Sequence, residues 1–242
     1  MLSAIVCAYN EERSLAAALH SLFAQTRVPD EVILVNNAST DRTREIASGF
    51  PQVTIVDEPV KSLVRARAAG RRAAHGEILF YMDADCRAPV RLLERMEAHF
   101  LREPETVAVT GPYRFYDWDW IGVAGARVYD HTLAWLAQFA AHHVLGIGAV
   151  LYGGNFAVRR DALDRIGGFD LTIEFHGEDT NLGRRLAAVG SVELDNACYI
   201  YTSARRYQAL GRTNVVKLYF RNFWWETVHH RPKDTVHEDV RL

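Results

Sequence analysis

Two aspartates, Asp83 and Asp85, stand one residue apart at the end of the apolar run Ile78 to Met82. That run reads as a buried strand. While a strand lasts, alternate side chains point to opposite faces; once the chain turns, both carboxylates can face one site. Hard divalent cations such as Mg²⁺ or Mn²⁺ take oxygen ligands of this kind. Such a cation offsets the negative charge that grows on a diphosphate leaving group. The plain alternative is a pair of turn or helix-capping aspartates, because Asp-x-Asp is a common tripeptide. A second acidic pair, Glu178 and Asp179, opens a helical pattern. The helix dipole favours carboxylates there, and for Glu178 that reason can suffice. Asp179 also follows the glycine-containing approach Phe175-His176-Gly177. A carboxylate at a helix start beside a loop can reach an acceptor hydroxyl as a general base.

Polar side chains follow another strand-like run. Asn36, Asn37 and Asp41 can hydrogen-bond a base or a ribose. An Asx-turn and an N-cap built from Ser39, Thr40 or Asp41 is the structural alternative. The helical stretch Leu63 to Ala74 carries Arg65, Arg67, Arg71 and Arg72. Arg67 and Arg71 share a face at i, i+4. Arg67 lies nearer the helix start and is the candidate to meet a phosphate; the other outcome is a solvated basic face.

These groups need elements to position them. Strand patterns at Ser3–Ala8, Val32–Val35, Val53–Val56 and Ile78–Met82 alternate with helix patterns at Ser14–Phe23, from near Arg42, at Leu63–Ala74 and at Pro89–Leu101. Such alternation predicts an α/β fold, a mostly parallel sheet flanked by helices. Ligands bind beyond the carboxyl ends of strands in such sheets. The clusters Tyr9–Glu11, Asn36–Asp41 and Asp83–Asp85 all follow strand ends and converge on that edge. Further along, Val107–Thr110 and Phe156–Arg159 read as strands and Tyr113–Trp120 as a loop or edge strand. Gly122–His143, Asp161–Ile166 and Glu178–Val189 read as helices. With no linker or repeat, residues 1–242 read as a single domain.

Composition excludes several classes. The chain has 242 residues, 49% hydrophobic and 24% charged, with a net charge of -2. That balance is ordinary for a globular protein and gives no electrostatic footprint for nucleic acid. Cys7, Cys86 and Cys198 are scattered, so no zinc motif or disulfide framework is expected, and free thiols suit a reducing compartment. Met1 to Val6 runs straight into a strand pattern, so no signal peptide is expected. The apolar stretch Leu133 to Tyr152 is broken by Gln138, His142 and His143, which places it in the core or at a membrane surface rather than across a bilayer. No GxGxxG follows the first strand, which argues against a nicotinamide enzyme.

The order of these pieces resembles the family 2 glycosyltransferases, inverting enzymes of GT-A fold, over residues 2 to 205. Val6-Cys7-Ala8-Tyr9-Asn10-Glu11-Glu12 is similar to the family's opening strand and its Tyr-Asn-Glu signature. Val35 to Asp41 looks like its nucleotide-binding turn. Arg67-Ala68-Ala69-Gly70, Gly76-Glu77 and Asp83-Ala84-Asp85 look like the helix leading into the metal motif. Gly153 to Arg160, Gly167-Gly168-Phe169-Asp170 and Glu178-Asp179 look like the acceptor-side half. The resemblance implies a nucleotide-sugar-binding half over 1–110, an acceptor-side half over 111–204 and a basic, aromatic C-terminal segment over 205–242. It implies a base pocket of Ala8, Tyr9 and Glu11, with Asn36 near base or ribose. Arg67 and Ala84 would belong to the same donor site. Asp83 would meet the ribose or metal, Asp85 would ligate Mn²⁺ or Mg²⁺, and Asp179 would be the catalytic base. Gly154 and Asn155 would approach the donor, and Arg205 would hold the pyrophosphate.

The implied donor is a UDP- or GDP-type nucleotide sugar, and the implied acceptor a saccharide or lipid-linked hydroxyl. The implied activity is hexosyl transfer in envelope polysaccharide assembly. No Gln-x-x-Arg-Trp run is present, so one sugar per encounter is expected rather than processive synthesis. The C-terminal segment joins Arg205, Arg206, Arg212, Lys217 and Arg221 to Tyr219, Phe220, Phe223, Trp224 and Trp225. It suits either a helix packed on the core or peripheral contact with the inner face of a membrane, in an otherwise cytoplasmic protein. A nucleotidyltransferase or a non-catalytic nucleotide-sugar binder of similar fold is the alternative. The first would want a Gly-rich basic loop where Ala8-Tyr9-Asn10-Glu11 stands.

Overall fold

The computed structural model describes residues 1–132, 149–173 and 177–229. Strands β1 (Leu2–Ala8), β2 (Glu31–Asn37), β3 (Val53–Glu58) and β4 (Ile78–Asp83) alternate with α1 (Leu15–Phe23), α2 (Thr43–Ser48) and α3 (Leu63–Ala73). Then come α4 (Leu92–Arg102), β5 (Thr106–Thr110), β6 (Tyr113–Phe115) and α5 (Trp120–His131). The chain continues through β7 (Asn155–Arg159), α6 (Arg160–Arg165), α7 (Glu178–Ala187), β8 (Ser191–Leu194) and β9 (Ile200–Thr202). Helices α8 (Arg205–Leu210) and α9 (Arg212–His229) follow.

The main sheet has seven strands in the order β3-β2-β1-β4-β7-β5-β8. Strands β1 to β4 pair in parallel, as do β5 and β8, and β7 runs antiparallel to β4 and β5. The sheet is therefore mostly parallel and flanked by helices, as the alternating pattern predicts. Strands β1 and β2 are buried on both faces: Val6 and Leu34 share one apolar cluster with residues of α1 and α4, and Ile5, Ile33 and Val35 share another with residues of α3 and α6. Gly70 lets α3 lie close on the sheet: a Cβ there would sit 3.2 Å from Val35 Cγ2.

Two features of this topology make the cleft. The order changes direction between β1 and β4, a switch point where loops diverge and leave a crevice. The antiparallel β7 pairs Met82 with Asn155, so its start, not its end, lies at the carboxyl edge of β4. Gly153 and Gly154 are thereby delivered beside Asp83.

Element boundaries move by a few residues from expectation, as fraying ends do. Helix α4 begins at Leu92 rather than Pro89, and α5 begins at Trp120. The remainder of the expected Gly122–His143 helix, most of the apolar stretch Leu133–Tyr152, and Phe175 and His176 lie outside the described residues. Among the described residues, no helix is long and apolar enough to cross a membrane. Strands β8 and β9 and the small parallel β6-β9 sheet go beyond the sequence expectation.

Candidate active site

The loops after β1 and β2 are stitched together by side chains. Asn10 sits at φ 50, in the left-handed region that asparagine tolerates. Its carbonyl oxygen Oδ1 accepts from Thr40 N at 2.8 Å, and its own N–H donates to Ser39 Oγ at 3.1 Å. Glu11 N donates to Thr43 Oγ1 at 2.8 Å and Glu12 N to Asp41 Oδ2 at 3.0 Å. Asp41 also accepts from Thr43 N at 2.9 Å, the Asx-turn that starts α2. The polar cluster at 36–41 is thus largely a scaffold for the β1 loop. Ala8 is buried beneath it, and Tyr9 carries Lys61 Nζ over its ring at 4.0 Å.

Asn36 is the buried polar member of this cluster. Its Nδ2 donates to Asp57 Oδ1 at 2.8 Å, and its Oδ1 is buried with no partner among the described residues. An acceptor held this way suits a ligand N–H. Asn37 is used internally: Nδ2 donates to the carbonyls of Glu58 and Val60, and Oδ1 accepts from Ser62 N.

Arg67 forms the centre of the site. It is 2% exposed and donates to the Gly153 carbonyl at 2.7 Å. Its guanidinium lies 3.5 Å from Glu178 and 3.9 Å from Asp83. Burial acts against its charge, but Glu178 and then Asp83 outweigh that and hold its pKa above the ordinary value. Of the four arginines on α3, Arg67 enters the cleft; Arg71 leaves it to pair with Asp164, and Arg72 lies 3.9 Å from Glu58.

The paired glycines bring the two acidic groups together. A Cβ on Gly154 would lie 2.5 Å from Asp83 Oδ2 and 2.9 Å from Tyr113 Oη. A Cβ on Gly153 would lie 2.9 Å from Arg67 Nη2 and 3.4 Å from Asp179 Cβ. Asp83 and Asp179, far apart in sequence, therefore flank one turn. Gly177 at φ 82 precedes α7 and lets the chain enter that helix with Glu178 and Asp179 in its first turn. Burial, and next the charge of Glu178, push the Asp179 carboxyl up to about 7. Asp179 Oδ1 accepts from Thr180 N at 2.7 Å, and both that bond and Arg67 oppose the rise.

Asp85 faces the other wall. Arg205, from α8, lies 3.0 Å from its Oδ2 and donates to Glu11 Oε2 at 3.0 Å. Glu11 is 4% exposed, and Ser14 Oγ donates to it at 2.6 Å. Helix α8 is held by Asp117, which accepts from Ala204 N at 2.6 Å and Ser203 Oγ at 2.5 Å. Asp83 and Asp85 form an oxygen-only donor pair with side chains 38% and 14% exposed. Beside them the Gly154 backbone packs directly against the Asp83 carboxylate, an approach that a side chain at 154 would block. The set fits a hard divalent cation.

Asp83, Asp85, Asp179, Arg67, Arg205, Glu11 and Gly154 thus line one cleft at the carboxyl edge of β1 and β4. Ala84 is buried between the two aspartates. Asn155 stands apart: it is fully buried, and its Nδ2 donates to the carbonyls of Gly111 and Cys198, each at 2.8 Å. Its Nδ2 therefore braces the backbone beneath the cleft, while its Oδ1 is buried with no partner among the described residues. Sequence reasoning missed Asp57, Lys61 and Tyr113. Asp57 lies at the carboxyl end of β3 and Lys61 just beyond it, like the others at strand ends. Nothing in the sequence marks Tyr113, whose hydroxyl accepts from Gly154 N at 2.7 Å.

A doubly flanked sheet whose acidic cleft sits at a switch point defines a ligand-binding α/β protein. The profile of Glycosyl transferase family 2 matches residues 3–167, more than half of the chain, and the chain belongs to that family. It is 23% identical over 194 residues to the glucosyl-dolichyl phosphate glucuronosyltransferase of Haloferax volcanii, covering 76% of this chain and 58% of that protein. It is 25% identical over 207 residues to the probable glycosyltransferase YdaM of Bacillus subtilis, covering 78% and 47%. The chain thus spans about half the length of these curated relatives. Among solved structures, mannosyltransferase PcManGT from Pyrobaculum calidifontis in complex with GDP-Man and Mn²⁺ superposes with a TM-score of 0.66 at 23% identity, over 88% of this chain and 62% of that one. S. aureus TarS superposes with a TM-score of 0.65 at 17% identity, over 90% and 39%. These likenesses establish the GT-A fold.

Proposed function

We propose that this chain moves one sugar from a nucleoside diphosphate sugar to an acceptor hydroxyl, with inversion at the anomeric carbon. The observation that carries the reading is the gathering of Asp83, Asp85 and Asp179 around one cleft, with Arg67 within 3.9 Å of Asp83. Ala8, Tyr9, Glu11 and Asn36 would line the base side. Asn36 Oδ1 offers an acceptor to a base N–H, whether the donor is of UDP or GDP type. Asp83 and Asp85 would hold Mn²⁺ or Mg²⁺, whose charge, when bound, stabilises the diphosphate leaving group. Arg205 would turn from its carboxylates toward the pyrophosphate.

Asp179 would take the proton from the acceptor hydroxyl. That oxygen then attacks the anomeric carbon as the bond to the diphosphate breaks on the opposite face. A base with a pKa of about 7 is well matched to neutral pH. The acceptor class we favour is a saccharide or lipid-linked hydroxyl. Peripheral contact of the basic, aromatic segment 205–242 with an anionic membrane face belongs to the same reading. Co-sedimentation with anionic vesicles at low salt tests that contact, and no binding counts against it.

The decisive experiment compares wild type with Asp179→Asn on a panel of nucleotide sugars in Mn²⁺. Turnover should fall by about 10²–10⁴. Affinity for the free nucleoside diphosphate should stay within about threefold, since a base contributes to the transition state rather than to ground-state binding. Near-intact turnover in the variant refutes the assignment.

A further inference from the structure

Helix α5 reaches the cleft through Asp130. This residue is 8% exposed and accepts a hydrogen bond from the Tyr152 hydroxyl at 2.8 Å. Tyr152 opens the turn that continues through Gly153 and Gly154. The turn bears on each wall of the reaction centre. The Gly153 carbonyl accepts from Arg67 at 2.7 Å, and the Cβ position of Gly153 is 3.4 Å from Asp179 Cβ. The Cβ position of Gly154 is 2.5 Å from Asp83 Oδ2. Two consecutive glycines have no side chains to anchor them, and glycine is the residue with most backbone freedom to lose. The turn is held through its backbone, by Arg67 on the Gly153 carbonyl and the Tyr113 hydroxyl on Gly154 N at 2.7 Å, by β7 that follows it and by Tyr152 that precedes it. Tyr152 meets the Tyr113 ring edge-on at 5.2 Å, its N–H donates to Thr110 Oγ1 at 3.0 Å, and its hydroxyl ends on Asp130.

We propose that Asp130 is a positioning residue: by fixing Tyr152 it sets the Tyr152–Gly154 turn, and with it the mutual placement of Arg67, Asp83 and Asp179. Burial pushes the Asp130 carboxyl up to about 6, while Tyr152, His131 and Arg114 act to lower it. A carboxylate held out of water against that cost is a mark of a functional neighbourhood. The kinetic consequence rests on the glycosyl-transfer reading; the structural consequence does not.

The test uses Asp130→Ala, Asp130→Asn, Tyr152→Phe and the double variant Asp130→Ala/Tyr152→Phe. Asn keeps an acceptor oxygen for Tyr152, and Phe removes only the hydroxyl. Nucleotide release from UDP-glucose and GDP-mannose in Mn²⁺ is followed well below each melting temperature. Hydrogen exchange of the peptide containing the turn is measured in parallel. We expect kcat to fall about tenfold in Asp130→Ala and Tyr152→Phe, with KM for the nucleotide sugar within about twofold. The double variant should fall no further than either single one, because both remove the same bond. Asp130→Asn should stay within about threefold of wild type. Turn amides should exchange about tenfold faster in Asp130→Ala and Tyr152→Phe and at the wild-type rate in Asp130→Asn. Additive losses, unchanged exchange, or an Asp130→Asn variant as impaired as Asp130→Ala would each overturn the inference. Should Asp130→Ala not fold, Tyr152→Phe and Asp130→Asn decide the matter. A wild type inert on both sugars counts against the transfer reading, and the exchange experiment still decides the role of Asp130.

Discussion

Replacing Arg67 with methionine keeps most of the side-chain volume and removes the charge at the centre of the cleft. The guanidinium donates to the Gly153 carbonyl at 2.7 Å and stands 3.5 Å from Glu178 and 3.9 Å from Asp83. Two unit charges about 4 Å apart attract by about 4 kcal/mol at an effective dielectric of about 20. Desolvation of a residue only 2% exposed cancels much of that gain. Removing one partner of a buried pair nonetheless costs about 3–5 kcal/mol, because the other charge is left uncompensated. The Asp83 side chain is 38% exposed, so its share is screened and the lower figure applies. A loss of about 3 kcal/mol corresponds to a melting temperature about 6–12 °C lower in a domain of this size.

The same substitution has a pH signature. Arg67 opposes the rise in the Asp179 pKa, so its loss pushes that pKa further up. A carboxyl whose folded pKa lies above its unfolded value binds more protons when folded. Stability then increases as pH falls from the folded pKa toward the unfolded one. The deficit of the variant should therefore be largest at about pH 8 and smaller at about pH 5. Thermal unfolding of both proteins at the two pH values measures this. A deficit below about 2 °C, or one equal at both pH values, would refute the account of Arg67 as the counter-charge.

The Asp179→Asn variant should melt higher than wild type above about pH 7, with the gap closing toward about pH 4, because it removes a carboxylate whose ionisation opposes folding; a lower melting point at alkaline pH would contradict the raised pKa. Gly154→Ala would thrust a methyl to 2.5 Å from Asp83 Oδ2, so Mn²⁺-dependent donor turnover should fall about a hundredfold; steady-state rates near wild type would mean the turn yields easily. Asn155→Ala strands two buried carbonyls and should cost about 2–4 kcal/mol by denaturant unfolding; nucleoside diphosphate affinity measured calorimetrically should hold, and its collapse would restore Asn155 to the ligand-contacting set.

Sequence patterning made the four-strand half of the sheet legible because each strand there is an apolar run and each helix an amphipathic one. Ligand loops at strand ends follow from that topology, which is why Tyr9, Asn36 and Asp83 could be placed on one edge without coordinates. The antiparallel insertion of β7 was not legible. Nothing in Asn155–Arg159 distinguishes an antiparallel from a parallel strand, since a strand buried on both faces reads the same in either direction. Strand β9 is three residues long, too short to show a period. Asn155 illustrates the limit for single residues: its type suits a ligand contact as well as it suits bracing two carbonyls, and only the fold decides.

The β7 insertion also explains why Asp83 and Asp179 flank one turn. Had β7 run parallel to β4, its start would lie at the opposite edge of the sheet, and Gly153 and Gly154 would face away from Asp83. Reversing one strand puts a side-chain-free turn against the aspartate pair. The turn, in turn, gives Arg67 a carbonyl to bind while Arg67 faces Glu178 at the start of α7. Arg67 is thus the physical link between the aspartate that ends β4 and the acidic pair that opens α7. Its near-complete burial follows from that position. A cation serving only a solvated helix face would have stayed in water with Arg65 and Arg72.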